Sequence, residues 1–517
     1  MTKESFLKGT LILIIAGLVT RAFGFFNRII LARTIGEEGV GLYMMAIPTF
    51  ILAVTLTQFG LPVAVSKLIA EQQTSSNKQA IKRILLIAIC ISLLISLMMW
   101  GTLLFLSPIL SKKLLTDPRT LYPLLAIGPI LPVIAISSIL RAYFQGMQNM
   151  MPSAFSQVIE QIFRIGALLI LTPFFLPYGI EFAALGAVIA LFVGEVASFL
   201  YIFSLFRKKV SFSILSTIKK RTSGRKKITK SLLDVAIPTT GSRFIGSISY
   251  FLEPIVVSQS LAIAGVSVIV ATSQYGELTG YALPLVTLPT FISYALSIAL
   301  VPAISEAYIL RNHDTIVKRL HQTLRLSFLT GGLAVVVLYT FSEPITTLMY
   351  DAPQVARYVK LMAPFCFLLY IQGPLQAILQ AMNAAKRAMV NSFLGAIFKT
   401  VLIFLLATKP SLGILGVAFA IVVGMTIVTF LHYLSITQLI SFTAPIKDYL
   451  LIIIIIVLTH FFSQHVYMHF LNHLPLFQKT TLILFITTCF YLFLSFLFKL
   501  IEIKQTKKLL RALFTFK

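Results

Sequence analysis

Acidic side chains are scarce in this chain: 17 Asp and Glu stand against 43 Lys and Arg in 517 residues. Glycan polymerisation or transfer needs carboxylates or a metal at an aqueous face, and the few acids outside apolar runs, such as Glu37, Glu38, Asp117 and Asp351, are scattered. Cysteine is nearly missing as well. Cys90, Cys366 and Cys489 fall in separate apolar runs, which excludes a disulfide framework and a thiolate metal site. Charged residues of both signs make up 12% of the sequence, too little for a water-soluble globular chain.

What the sequence has is apolar length. Hydrophobic residues are 58% of the total, Phe alone occurs 42 times, and the mean hydropathy is +0.93. Runs of about 20 apolar residues recur, each long enough to cross about 30 Å of hydrocarbon as a helix. The fold class is therefore an all-α polytopic membrane protein. About fourteen spans are expected by length and hydropathy. They lie near residues 7–31, 40–65, 84–107, 122–146, 154–177, 183–206, 232–257, 278–302, 326–346, 358–382, 389–408, 412–437, 448–465 and 480–498. Lys3 and Lys8 precede the first run as in a secretory signal, but no small-residue cleavage pattern follows, so a retained first span is expected.

The net charge of +26 would suit nucleic acid if it were clustered on a soluble face, but it follows the spans instead. Most Lys and Arg fall in the termini and the even-numbered connections, which puts both termini in the cytoplasm by the positive-inside rule. The connection "RKKVSFSILSTIKKRTSGRKKITK", residues 207–230, carries ten positive charges and no acid. It reads as a cytoplasmic linker against anionic lipid headgroups, with a regulatory partner as the other reading. His465, His469 and His473 recur every four residues in an outside connection without Cys or carboxylate beside them, so an interfacial segment is expected there rather than a metal site.

The chain repeats itself. "LRAYFQGMQNMMPSAFSQVIEQIFRIGALLIL" from Leu140 aligns without a gap on "LQAILQAMNAAKRAMVNSFLGAIFKTVLIFLL" from Leu375. Leu140, Ala142, Gln145, Met147, Ile162 and Phe163 meet identical residues, and Arg164 meets Lys399. Farther back, "TRAFGFF" at Thr20 matches "SRFIGSI" at Ser242 through Arg-x-x-Gly. Each unit holds an even number of spans, so both enter the membrane in the same direction. This is the parallel-repeat plan of many secondary transporters. The expected organisation is a six-helix half at 1–206, a basic linker at 207–231, a second six-helix half at 232–440, and two extra spans with a basic tail at 441–517.

Charge inside the spans points to the site. On a helix Gly17, Arg21, Gly24 and Arg28 fall within about 40° of one another. An arginine facing lipid costs at least about 2.5–3.5 kcal/mol on insertion scales, so the stripe should face protein or water. Snorkelling to the surface is the other reading for Arg28 and for Arg33. In span seven Arg243 and Gly246 repeat Arg21 and Gly24, with Glu253 farther along as a counter-ion. Span four offers Ser137, Arg141 and Gln145 on one face, and its repeat partner offers Gln372, Gln376 and Gln380. Glu160 and Arg164, four apart, either line the same space or pair with each other. Together with Lys399 these groups make a cavity suited to an anion, and the guanidinium fork suits diphosphate.

At these residues the chain resembles the MOP exporter superfamily, on its polysaccharide and lipid II flippase side. The resemblance runs through "NRIILARTIGEEGVGLYMMAIPTF", "PTTGSRFIG", "EPIVVSQSLAIAGV" and "QYGELTGYALPLVTLP". It implies a V-shaped fourteen-helix transporter, acting as a monomer without a cofactor. Its cargo would be an undecaprenyl-diphosphate-linked peptidoglycan precursor resembling lipid II, flipped to the outer face by alternating access. A role in spore-cortex synthesis places it in the cytoplasmic membrane and in the membrane around the forespore. Na+, H+ or the membrane potential would supply the energy. MurJ-type flippases share Arg-x-x-Gly at Arg21 and Gly24, but where they place a second arginine this chain has Asn27 followed by Arg28. Their arginine in the second span has no counterpart. Another lipid-linked polysaccharide unit is the alternative cargo, and a membrane-embedded glycan polymerase or transferase is the rival function.

Overall fold

The computed structural model describes residues 3–74, 78–209, 225–442, 446–471 and 473–500; among them no strand occurs. Most of the basic linker, at 210–224, and the tail beyond Leu500 lie outside the described residues. The helices of the first part are α1 (Lys3–Gln58), α2 (Leu61–Thr74), α3 (Lys78–Ile109), α4 (Leu121–Ile127), α5 (Ile130–Gly146), α6 (Met151–Phe175), α7 (Ile180–Lys209), α8 (Arg225–Ile263) and α9 (Val268–Gly276). Those of the second are α10 (Leu283–Thr287), α11 (Thr290–Ile309), α12 (His313–Thr340), α13 (Ser342–Tyr350), α14 (Ala356–Ala381), α15 (Ala385–Ala407), α16 (Gly413–Thr437), α17 (Ile446–His469) and α18 (Leu476–Leu497).

Among the described residues, 13 helical stretches are long and apolar enough to cross a membrane. The first, Ala16–Gln73, takes in the first expected span from residue 16 on and all of the second, and α1 bends between the two at Gly36, where φ is 66° and ψ −177°. That backbone is open to glycine at little cost. The eighth expected span differs. Residues read as part of a long connection form α9, a π-helical turn at Glu277–Ala282 follows, and the apolar run resumes in α11. Thr272, Ser273, Gln274 and Gly276 dilute the hydropathy of α9, and they are tolerated because it packs on α1 rather than on lipid. A side chain at Gly41 would meet the Thr272 carbonyl oxygen at 2.1 Å, and one at Gly276 the Glu37 carbonyl oxygen at 2.1 Å.

Contacts group the chain into two compact units. One comprises the residues up to Gly280 with Ile403–Ile414, and the other Tyr281–Leu402 with the residues from Leu415 onward. In the first, a core of Leu61, Val65, Ile69, Leu140, Phe144 and Ile202 also takes in Leu232 and Ala236 of α8. Gly60, at φ 61°, lets the chain pass so close to α8 that a Cβ there would meet the Ala236 carbonyl oxygen at 2.4 Å. In the second unit Leu324 and Phe328 of α12 pack with Leu375 and Ile378 of α14, Ile452 and Ile455 of α17 and Tyr491 of α18. The Tyr491 hydroxyl donates to the Leu329 carbonyl at 2.9 Å. The last two helices thus dock on α12 through apolar packing, this hydrogen bond, a second between Thr340 and His460 at 2.7 Å and the Arg325–Asp448 ion pair at 3.7 Å.

The repeat is visible in backbone geometry. Gln148 after α5 and Asn383 after α14 are both left-handed, at φ 55° and 60°. Each sits in the same closure: Asn149 N–H donates to Phe144 at 2.9 Å, and Ala384 N–H to Leu379 at 2.7 Å. These are the pairs that the gap-free alignment makes equivalent, and both satisfy carbonyls left open at a helix end.

Candidate functional site

In the first unit α5, α6 and α7 bring two arginines and two glutamates together. Ser137 Oγ donates to Glu195 Oε1 at 2.7 Å, and Arg141 Nη2 donates to that same oxygen at 2.5 Å and to Ser137 Oγ. Arg141 Nη1 lies 3.7 Å from Glu160 Oε2, while Arg164 Nη2 donates to Glu160 Oε1 at 2.5 Å. All four are largely buried, Glu195 most deeply. Removing one member of such a buried pair typically costs about 3–5 kcal/mol, because it strands a charge. Arg141, Glu160, Arg164 and Glu195 therefore meet as a quartet of two bases and two acids, with Arg141 paired to Glu195 and Arg164 to Glu160. Glu195 was not among the expected site residues. Its signal in the sequence is that it stands as a lone acid beside Gly194 in the long apolar run of α7.

Glycine makes the group possible. A Cβ at Gly194 would meet the Glu160 carbonyl oxygen at 2.6 Å and Arg164 Cβ at 3.0 Å, so α6 and α7 touch backbone to backbone here. In the second unit a Cβ at Gly424 would meet Lys399 Cβ at 2.7 Å and the Gly395 carbonyl oxygen at 3.5 Å. The alignment pairs Glu160 with Gly395 and Arg164 with Lys399, so the same helix contact recurs around a basic residue. The acids do not recur: Gly395 stands for Glu160, and Met425 follows Gly424 where Glu195 follows Gly194. Gln376 and Gln380 lie on α14 of this second unit, Gln376 half-buried and Gln380 exposed. Gln145, the partner of Gln380, is half-buried in the last turn of α5.

Arg28 neither snorkels nor stands open. Its Nη1 donates to the Thr279 carbonyl at 3.3 Å, in the π-turn that loosens the helical ladder after α9. Arg33, by contrast, is exposed. Around Arg28 the interior is polar. Tyr43 on the same helix is buried, and Tyr250 of α8 is half-buried. Glu253 and Glu277 are buried. Asn27 is buried with no partner for its Oδ1, and the buried Arg164 Nε also lacks an acceptor.

Arg21 and Arg243 are different: both are exposed, on α1 and α8, two helices that pack on each other. A Cβ at any of Gly17, Gly24, Gly241 or Gly246 would meet nothing within 4 Å. Each Arg-x-x-Gly stripe thus borders open space. A second polar cluster closes one end of the unit. Asp117, 1% exposed, accepts from Arg119 Nε at 3.0 Å, from Arg119 Nη2 at 2.9 Å and from Thr272 Oγ1 at 2.7 Å. Arg119 also pairs with Glu38. Gln259 Nε2 of α8 donates to the Lys113 carbonyl at 2.7 Å. Two of the scattered acids, Glu38 and Asp117, are thereby engaged in holding helices together.

Membrane-crossing helices in two repeated sets, with basic residues at repeated positions inside them, define a polytopic transporter and not an enzyme. The family described as Polysaccharide biosynthesis protein matches residues 6–308, and the MatE family matches 254–405. The chain belongs to the polysaccharide biosynthesis protein family, on the flippase side of the MOP superfamily. It is 53% identical over 464 residues to stage V sporulation protein B of Bacillus subtilis (strain 168), covering 90% of each chain. Sporulation protein YkvU of the same organism is 32% identical over 84% of this chain and 95% of its own. Lipid II flippase MurJ in its inward closed conformation shares the fold, with a TM-score of 0.68 at 17% identity over 94% of this chain and 98% of that one.

Proposed function

We propose that the protein flips an undecaprenyl-diphosphate-linked peptidoglycan precursor, resembling lipid II, across the bacterial cytoplasmic membrane for spore-cortex synthesis. The observation that carries this reading is the pair of exposed arginines, Arg21 and Arg243, on glycine stripes that border open space inside membrane-crossing helices. Lipid is a costly neighbour for such groups. An aqueous cavity that admits a diphosphate headgroup is not, and glycine leaves room for the sugar. Relatives named as sporulation proteins and as a lipid II flippase support the cargo class.

In this reading the halves at 1–206 and 232–440 alternate access as a monomer, with both termini cytoplasmic and the basic linker against anionic headgroups. The Glu38–Arg119–Asp117–Thr272 cluster then lies at the outer end. It ties helices of the first repeat to α9 of the second, and so acts as an outer latch. Binding of lipid II, undecaprenyl diphosphate and a teichoic-acid precursor to the purified protein tests the reading. Preference for lipid II supports it; preference for the teichoic-acid precursor would replace the cargo, and no binding of any would remove the central site.

A further inference from the structure

The repeat places corresponding polar rows in the two units. In the first, Ser137, Arg141 and Gln145 stand four apart on α5, and α7 closes the row: Glu195 accepts from both Ser137 and Arg141. In the second, Gln372, Gln376 and Gln380 occupy the same positions on α14, and Met425 stands where Glu195 would close them. The charges are gone. Among the described residues Gln372 Oε1 is buried without a donor, and Ser293 of α11, 3% exposed, likewise has no partner for its Oγ.

These two orphaned atoms belong to one helix contact. Helices α11 and α14 lie side by side: a Cβ at Gly373 would meet Ser297 Oγ at 3.4 Å, and Ser305 Oγ donates to the Ala381 carbonyl at 3.4 Å. That constant register sets Ser293 within one helical turn of the level of Gln372. Ser297 gives its hydroxyl hydrogen to the Ser293 carbonyl at 2.7 Å and has none for the glutamine. Exposure rises along the row, from half-buried Gln372 and Gln376 to exposed Gln380, while Ile371, Leu375 and Ile378 beside it pack in the core. Amides inside a membrane-crossing helix are costly against acyl chains and fit water or a polar ligand.

The chemistry of the row is neutral. Glutamine offers a carbonyl and an NH2, serine an O–H, and neither carries the charge that grips a phosphate. A ligand hydroxyl can accept from Ser293 and donate to Gln372 at once, which satisfies both buried atoms. An acetamido group, with its own N–H and carbonyl, matches the amides of Gln376 and Gln380 in the same way.

We propose that Gln372 and Ser293, with Gln376 and Gln380 leading to them, form an uncharged subsite in the second unit that takes an N-acetylated sugar of the cargo. This sugar site rests on the flippase reading above and deepens it, because the bases of the first unit answer the diphosphate alone. A ligand without the sugar leaves both buried atoms as they are; one with the sugar completes them and binds more tightly.

Gln372→Leu and Ser293→Ala remove the orphaned atoms while breaking no hydrogen bond of theirs, so their unfolding midpoints should equal or exceed that of the wild type. The full-length purified proteins are titrated with undecaprenyl diphosphate and with undecaprenyl-diphosphate-N-acetylglucosamine, which differ by one sugar and carry no peptide. The wild type should prefer the sugar-bearing lipid, and each variant should lower the ratio of the two affinities by about three- to tenfold. Gln376→Leu, one turn along the row, should lower it in the same sense and serves where Gln372→Leu fails to fold. Equal affinities of the wild type for the two lipids would overturn the sugar site. So would an undiminished ratio in the folded variants, whether both affinities hold, which leaves a resident water as the occupant, or both fall together. A wild type that binds neither lipid would overturn the cargo reading and the sugar site with it, an outcome set apart from the others by the missing wild-type signal.

Discussion

Substituting Gly194→Ala probes the contact on which the buried charges depend. The added Cβ would stand 2.6 Å from the Glu160 carbonyl oxygen and 3.0 Å from Arg164 Cβ. Neither is the free end of a flexible chain, so α6 and α7 must part. Overpacking of this kind costs about 1–3 kcal/mol, offset by about 0.5–1 kcal/mol that alanine gains over glycine inside a helix. The net loss is about 0–2.5 kcal/mol, larger if Glu160 is drawn away from Arg141. Gly166→Ala on the same helix α6 is the control, because a Cβ there meets nothing within 4 Å. Unfolding midpoints of the two variants in detergent check the difference. Gly194→Ala should unfold below the wild type, and Gly166→Ala at or above it. If Gly194→Ala equals or exceeds Gly166→Ala, the close approach of α6 and α7 is not what holds the quartet.

Three further outcomes follow from named positions. Gly24→Leu and Gly246→Leu should leave the unfolding midpoint near the wild-type value, since both stripes border open space, yet reduce cargo binding by tenfold or more, on the order of 1.4 kcal/mol; titration with lipid II reads both. Cysteines at Asp117 and Thr272, whose side chains bond at 2.7 Å, should cross-link on oxidation and stop translocation while cargo still binds from the cytoplasmic side, with reduction restoring movement. Cysteines placed between Arg207 and Lys230 should label only from the cytoplasm, and those near His469 only from outside, by an impermeant thiol reagent.

The internal repeat was legible because it lives in local sequence. Leu140 to Leu375 fixes a register, and the paired left-handed turns at Gln148 and Asn383 obey it. Spans were legible from hydropathy except where tertiary packing replaced lipid: α9 carries Thr272 and Gly276 because α1, not acyl chains, is its neighbour. For the site, the i, i+4 spacing of Glu160 and Arg164 offered pairing as one of two readings, and the pair forms. Their link to Glu195 and Arg141 did not show, since it joins three helices and depends on Gly194 for the approach. Arg28 illustrates the same limit. Periodicity put it on the stripe of Arg21, but its guanidinium is occupied by a carbonyl 251 positions away along the chain, freed by a π-turn that no spacing rule predicts.

The central claim is that the chain moves a lipid-linked diphosphate through a space bordered by Arg21 and Arg243. Proteoliposomes containing the purified protein and a fluorescent lipid II, with the fluorophore quenched from one side only, measure that movement directly. The account predicts transfer between leaflets with the wild-type protein and a return to the protein-free rate with Arg21→Ala and with Arg243→Ala, both still inserted and folded. Full-rate transfer in both variants, or none by the folded wild type, would contradict it.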